Sequence, residues 1–193
     1  MATTTLAPPR RMTVEEFLAM PHDGVRRWLV NGVVREEENG MTYRNRFHSS
    51  VMVEVATALN NWRRERTGQS GRVYCGEAGI RFPTNPDSIY GLDVVYVSED
   101  VVANLSDETT ILEGVPTLIA EILSPSTTEE TTNEKLAVYR DAGVPLVWVL
   151  NPYQETVLVY RHGQRPTMVN ADQDLIGDPE LPGFRVPVRQ LFE

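Results

Sequence analysis

Cysteine is nearly absent from this chain of 193 residues, in which Cys75 stands alone. That excludes an intramolecular disulfide framework and a cysteine-cluster zinc site, and it makes a reducing cytoplasm the expected home. Long apolar runs are missing as well: none approaches the roughly 20 residues that a membrane span needs. The opening MATTTLAPPR has no apolar centre of the kind a secretory signal carries, so residues 1–10 are expected to form a flexible leader. Internal repeats, low-complexity tracts and linkers are lacking too, which leaves 11–193 as one expected domain. Basic charge is scarce, with 18 Lys and Arg against 27 Asp and Glu for a net −9. Proteins that live on nucleic acid usually show the opposite balance, because phosphate neutralisation drives their affinity. Any contact with DNA must therefore come from a local patch. Arg63, Arg64 and Arg66, with Arg44 and Arg46 upstream, are the candidates, against the ordinary reading of a solvated helix end.

The remaining composition is that of a globular protein, 41% hydrophobic and 23% charged,. Thr13 and Glu16 form a capping box that opens a short helix stopped by Pro21. Arg27 to Arg35 reads as two short strands around Asn31-Gly32, a strong hairpin signal. Phe47, Val51, Val55, Ala58, Leu59 and Trp62 recur at steps of three and four, which predicts an amphipathic helix. Strands are expected over 72–82, 92–98, 117–123, 144–150 and 156–160. Between the third and fourth of these, Ser126 and Glu129 suggest a second capping box for a helix running to Ala142, with Gly143 ending it. Leu181, Phe184, Leu191 and Phe192 are expected to dock the tail. Strands outnumber helices and one helix joins two central strands, so the expected fold is α/β, a mixed sheet with helices packed on it.

Two carboxylates stand out. Glu121 shares a strand face with Ile119 and Leu123, and Asp93 is the only charge in an apolar run, on the face of Val95 and Val97. Burying an ionised carboxylate in such company costs several kcal/mol unless it is paired or ligates a metal. A hard cation such as Mg²⁺ or Mn²⁺ requires just such oxygen donors, whereas either residue alone could simply cap a strand or pair with an arginine. Thr128, Thr131, Lys135, Val138 and Tyr139 form one stripe on the next helix, close to Glu121. Lys135 there is either an ordinary surface lysine or a group that orients water and offsets charge.

These residues in sequence carry a resemblance. Asp93, the stretch Ala120-Glu121-Ile122-Leu123-Ser124-Pro125-Ser126-Thr127, Lys135, Tyr139, Ala142-Gly143-Val144-Pro145 and Trp148 resemble the putative restriction endonuclease family, or Uma-two-type endonucleases, of the PD-(D/E)XK nuclease superfamily. The likeness runs from Met12 to the terminal Leu191-Phe192. It implies a restriction-endonuclease-like core with helices on both faces and an N-terminal β-hairpin. It implies Asp93 and Glu121 as ligands of Mg²⁺ or Mn²⁺, DNA as substrate and a homodimer. The superfamily's usual lysine position, two residues after the acidic ligand, is Leu123 here, and Lys135 is read as its replacement from the following helix. His48 matches a histidine frequent in the family, or is a polar residue at a helix start. One departure concerns the hairpin, where Trp28 occupies the place of a family glutamate and removes a carboxylate for which Glu54 or Glu77 are possible substitutes.

The expected function is thus a Mg-dependent endonuclease in which Asp93, Glu121 and Lys135 are catalytic. Two other readings stay open. One is a catalytically impaired member of the fold serving as a homodimeric interaction module, which Trp28 and the net charge favour. The other is a metal-dependent hydrolase of small phosphate esters, for which an acidic surface is no handicap.

Overall fold

The computed structural model describes residues 10–193 except 37–44, 67–70, 107, 109 and 126. Helix α1 (Val14–Leu18) opens with the expected Thr13–Glu16 capping box. Strands β1 (Arg27–Val30) and β2 (Val33–Glu36) form the hairpin, and both turn residues, Asn31 and Gly32, have positive φ, as a type I′ turn demands. Helix α2 (Arg46–Glu65) follows, then β3 (Arg72–Phe82), β4 (Ser88–Val97), the short α3 (Glu99–Ala103), β5 (Leu112–Glu113) and β6 (Leu118–Ile122). Helix α4 (Glu129–Asp141) crosses over to β7 (Leu146–Asn151), and β8 (Thr156–Arg161) and β9 (Thr167–Asn170) extend the sheet. A small ribbon of β10 (Asp174–Ile176) and β11 (Arg185–Pro187) and a 3₁₀ turn at Val188–Phe192 close the chain. The expected leader falls almost wholly outside the described residues.

The main sheet is mixed: β6 and β7 are parallel, β3 and β5 are parallel, and the other pairings are antiparallel. All five residues of β6 are buried, because helices cover both faces. On one side Val51, Val55, Leu59 and Trp62 of α2 pack with Leu118, Ala120, Trp148 and the docked tail residues Leu181, Phe184 and Leu191. On the other, Val138 and Tyr139 of α4 pack with Val95, Ile119 and Val147. Among the described residues no helix is long and apolar enough to cross a membrane.

Three local expectations are corrected. The strand expected at 92 begins at Ser88, so Asp93 lies inside a ten-residue strand rather than at its end. The capping box of α4 is Thr128 with Thr131, not Ser126 with Glu129. Ser126 itself lies outside the described residues, and its neighbours form a turn, with the Thr127 N–H donating to the Ser124 carbonyl at 3.0 Å. The buried stripe of α2 starts at His48, which is 3% exposed, while Phe47 is 42% exposed.

The feature that matters for function is a fork in the sheet. Along its whole length β4 gives one edge to β3, from Phe82↔Ser88 to Arg72↔Val97. Its other edge is shared by two strands: β1 meets it at Ile89, and β6 meets it over Val94 to Tyr96. Between these two pairings the partners diverge, and a cleft of about 580 Å³ opens in the fork.

Candidate functional site

Tyr90, Gly91 and Asp93 of β4 lie at the base of the fork, Arg27 and Trp28 on the β1 arm, and Glu121 and Ile122 on the β6 arm. The β4–β6 ladder ends at Val94↔Ala120, and one step further Asp93 and Glu121 stand opposite each other. There a side chain replaces the ladder: the Ile122 N–H donates to Asp93 Oδ2 at 2.9 Å. Across β4, the partner strand bulges. Cys75 pairs with Val94 and Ala78 with Leu92, so Gly76 and Glu77 both face Asp93, and both have positive φ. Bulges of this kind re-aim a side chain. Here the bulge turns Glu77 over Gly91, where a Cβ would lie 2.7 Å from Glu77 Oε2.

The three residues singled out from sequence converge. Lys135 Nζ donates to Glu121 Oε2 at 2.6 Å, and Tyr139 OH donates to Oε1 at 2.5 Å. The stripe on α4 is what aims both at one carboxylate, since 135 and 139 are one turn apart. Packing of Tyr139 against Phe82 and Tyr90, at ring centroid separations of 5.3 and 6.0 Å, holds the phenol in place. Asp93 and Glu121 are buried, with 5% and 8% exposure.

Their environments push them apart. Burial raises the Asp93 carboxyl, but the His48 hydrogen bond and charge, the Ile122 N–H and the Lys135 charge together hold it below the ordinary range. Burial dominates at Glu121 and keeps it above that range; Lys135 pulls it down and the charge of Asp93 pushes it back up. Burial and the neighbouring Glu121 likewise raise Tyr139. Carboxylates that differ in this way concentrate at functional sites.

Other expectations fare unevenly. Glu77 lines the cleft and pairs with Arg26 at 2.7 Å, whereas Glu54 is not among the lining residues. Trp28 lines it too, in the position where the resemblance places a glutamate. Arg63, Arg64 and Arg66 do not reach it. They lie at the far end of α2, 15 or more residues beyond the cleft-lining His48, which is about 22 Å of helix. Arg66 instead bonds the Pro182 carbonyl, and Arg44 is outside the described residues. The basic residues in the cleft wall, which sequence reasoning missed, are Arg26 and Arg27. Arg26 immediately precedes the hairpin and Arg27 opens its first strand, and the place of that hairpin in the sheet depends on long-range pairing. Among the described residues, no group of three or more His, Cys, Asp or Glu side chains is arranged to hold a metal ion.

Residues 14–189 match the model of the Uma2 family, described as putative restriction endonuclease. The chain belongs to that family. A solved structure, that of a putative nuclease from Anabaena variabilis, shares the fold of this Uma2 chain with a TM-score of 0.77. It is 18% identical and covers 94% of this chain and 97% of its own. No curated protein matches. The fold read from sequence, a restriction-endonuclease-like mixed sheet, is therefore the fold observed.

Substituting Trp28 tests whether this arm of the cleft lacks a carboxylate. Trp28→Glu is expected to tighten Mn²⁺ binding severalfold, because a hard cation gains from each added carboxylate that reaches it. The metal-free variant should melt lower, since a half-buried indole is lost, although Arg35, cross-strand from residue 28, offers the new charge a partner. Titration calorimetry beside the melting curve separates the two effects. Unchanged affinity would mean that a side chain at 28 does not reach the metal.

Proposed function

We propose that this Uma2 protein is a divalent-metal-dependent endonuclease acting on DNA, with Asp93 and Glu121 as the metal ligands and Lys135 as the catalytic cation. The observation that carries the reading is the charge of the forked cleft. Among its described lining residues, three cationic side chains (Arg26, Arg27, Lys135) face four carboxylates (Glu36, Glu77, Asp93, Glu121), a formal balance of −1. Such a cleft repels a phosphodiester until a divalent cation reverses its sign. Family membership supports a nuclease, and restriction-endonuclease-like families generally use divalent metals.

The donor set fits such an ion. Mg²⁺ is typically held by one or two carboxylates with water and substrate phosphate completing the shell, rather than by an all-protein cage. Two adjacent carboxylates, with no third ligand beside them among the described residues, match that pattern. When bound, the ion supplies Lewis-acid polarisation of a phosphoryl oxygen and activation of water. The chain's own residues do the rest. Asp93, kept ionised by its neighbours, is ready to ligate at neutral pH. Glu121, whose Oε2 accepts from Lys135 and whose Oε1 accepts from Tyr139, would hold the ion together with Asp93, with Tyr139 orienting its carboxylate. Lys135, only 30% exposed in its pairing with Glu121, would supply the cation that meets the attacking water or the charge that develops on the phosphoryl oxygens.

Labelled duplex DNA incubated with Mn²⁺, Mg²⁺ or chelator tests the proposal. Strand cleavage is expected with either metal and none with chelator, and binding to DNA should weaken steeply as salt rises. Metal-dependent hydrolysis of a small chromogenic phosphodiester without any cut in DNA would select the small-ester reading. Trp28 in the cleft wall favours a non-catalytic interaction module as the alternative, and failure to bind Mn²⁺ at millimolar concentration would select it.

A further inference from the structure

We infer that His48 is a positioning residue, which fixes the Asp93 carboxylate so that one defined oxygen is left for the metal. This rests on the reading of Asp93 as a ligand. His48 is the first residue of the buried stripe of α2, and it is the one polar member of that stripe. Its Nε2 lies 3.2 Å from Asp93 Oδ2. The Ile122 N–H reaches the same oxygen at 2.9 Å. Both donors thus converge on Oδ2, one from the helix layer and one from the neighbouring strand. Oδ1 has no hydrogen-bond partner among the described residues. A carboxylate held by one oxygen from two directions cannot rotate freely about its terminal bond, so Oδ1 keeps a fixed direction.

The ring acts through Asp93 rather than as a ligand. Its Nε2 faces a carboxylate oxygen, which accepts, so that nitrogen is the donor of the contact and turns no lone pair toward a cation,. The other nitrogen, Nδ1, is buried without a hydrogen-bond partner among the described residues. Outer partners that orient a ligating group typically contribute about 10–100-fold to metal affinity.

Three substitutions test this, each read by Mn²⁺ titration of the substrate-free protein beside its metal-free melting curve. Gln can place an amide N–H where His Nε2 sits, Asn falls about one atom short, and Met fills similar volume with no donor. His48→Gln is expected to bind Mn²⁺ within about threefold of the wild type, and His48→Asn and His48→Met to lose about 10–100-fold. If His48→Asn does not fold, His48→Met carries the comparison. All folded variants binding like the wild type would make His48 a packing residue and overturn the inference. Equal losses in Gln, Asn and Met would overturn it as well, since the ring itself would then be needed. A wild type that binds no Mn²⁺ would overturn the metal reading, and this role with it.

Discussion

Asp93→Asn is expected to abolish Mn²⁺ binding and DNA cleavage while leaving the metal-free fold nearly intact. The substitution keeps the side chain's shape, and the amide oxygen can still accept the Ile122 N–H that ends the β4–β6 ladder. What disappears is the charge that a hard cation requires. The loss should exceed the roughly 10–100-fold typical of an outer partner, because a direct ligand is removed. Metal binding only to the native state raises stability by about 2.7 kcal/mol at a hundredfold excess over Kd. The wild type should therefore melt higher in millimolar Mn²⁺, and Asp93→Asn should not. Cleavage that survives in Asp93→Asn would remove Asp93 from the chemistry.

The second large effect is an asymmetry across the Glu121–Lys135 pair. Lys135→Met leaves Glu121 buried and without its counter-ion, and it is expected to destabilise the metal-free protein by about 1–3 kcal/mol. That is less than the loss of a fully buried partner, because Lys135 is partly exposed and Glu121 can take up a proton. Glu121→Gln removes the buried charge instead. Its amide still accepts the Tyr139 hydroxyl, and Lys135 turns to water, so the melting temperature should stay equal or rise. Both variants should lose cleavage. If Glu121→Gln unfolds the metal-free protein while Lys135→Met does not, Glu121 is a structural partner and its assignment as a ligand fails.

Much of this site could be read from local pattern. Glu121 and Asp93 were visible as lone charges in apolar runs, and the 3.6-residue period put Lys135 and Tyr139 on one face. What escaped was whatever depends on pairing between distant strands. The fork at β4, the bulge that faces Asp93 and the arginines of the β1 arm have no local signature. The start of α4 was misplaced for a different reason. The run from Ser124 to Thr132 offers two overlapping capping boxes, and the helix takes the second, Thr128 with Thr131. At α2, Phe47 and His48 both satisfied the spacing to Val51, by four residues and by three. The spacing alone favours the more apolar Phe47, but the buried residue is the histidine, because its polar atom has a carboxylate to meet.

The two arms of the fork are anchored very differently. The β6 arm lies between β4 and β7 in the middle of the sheet, with every residue buried. The β1 arm joins β4 at the single pairing Leu29↔Ile89, pinned by the fully buried Leu29 and by the Asn31 N–H donating to Ser88 Oγ at 2.9 Å. Chemistry and reach are therefore separable parts of this molecule. Exchange of the hairpin for one of another length or charge would reshape the mouth while leaving in place the β6 strand that carries Glu121.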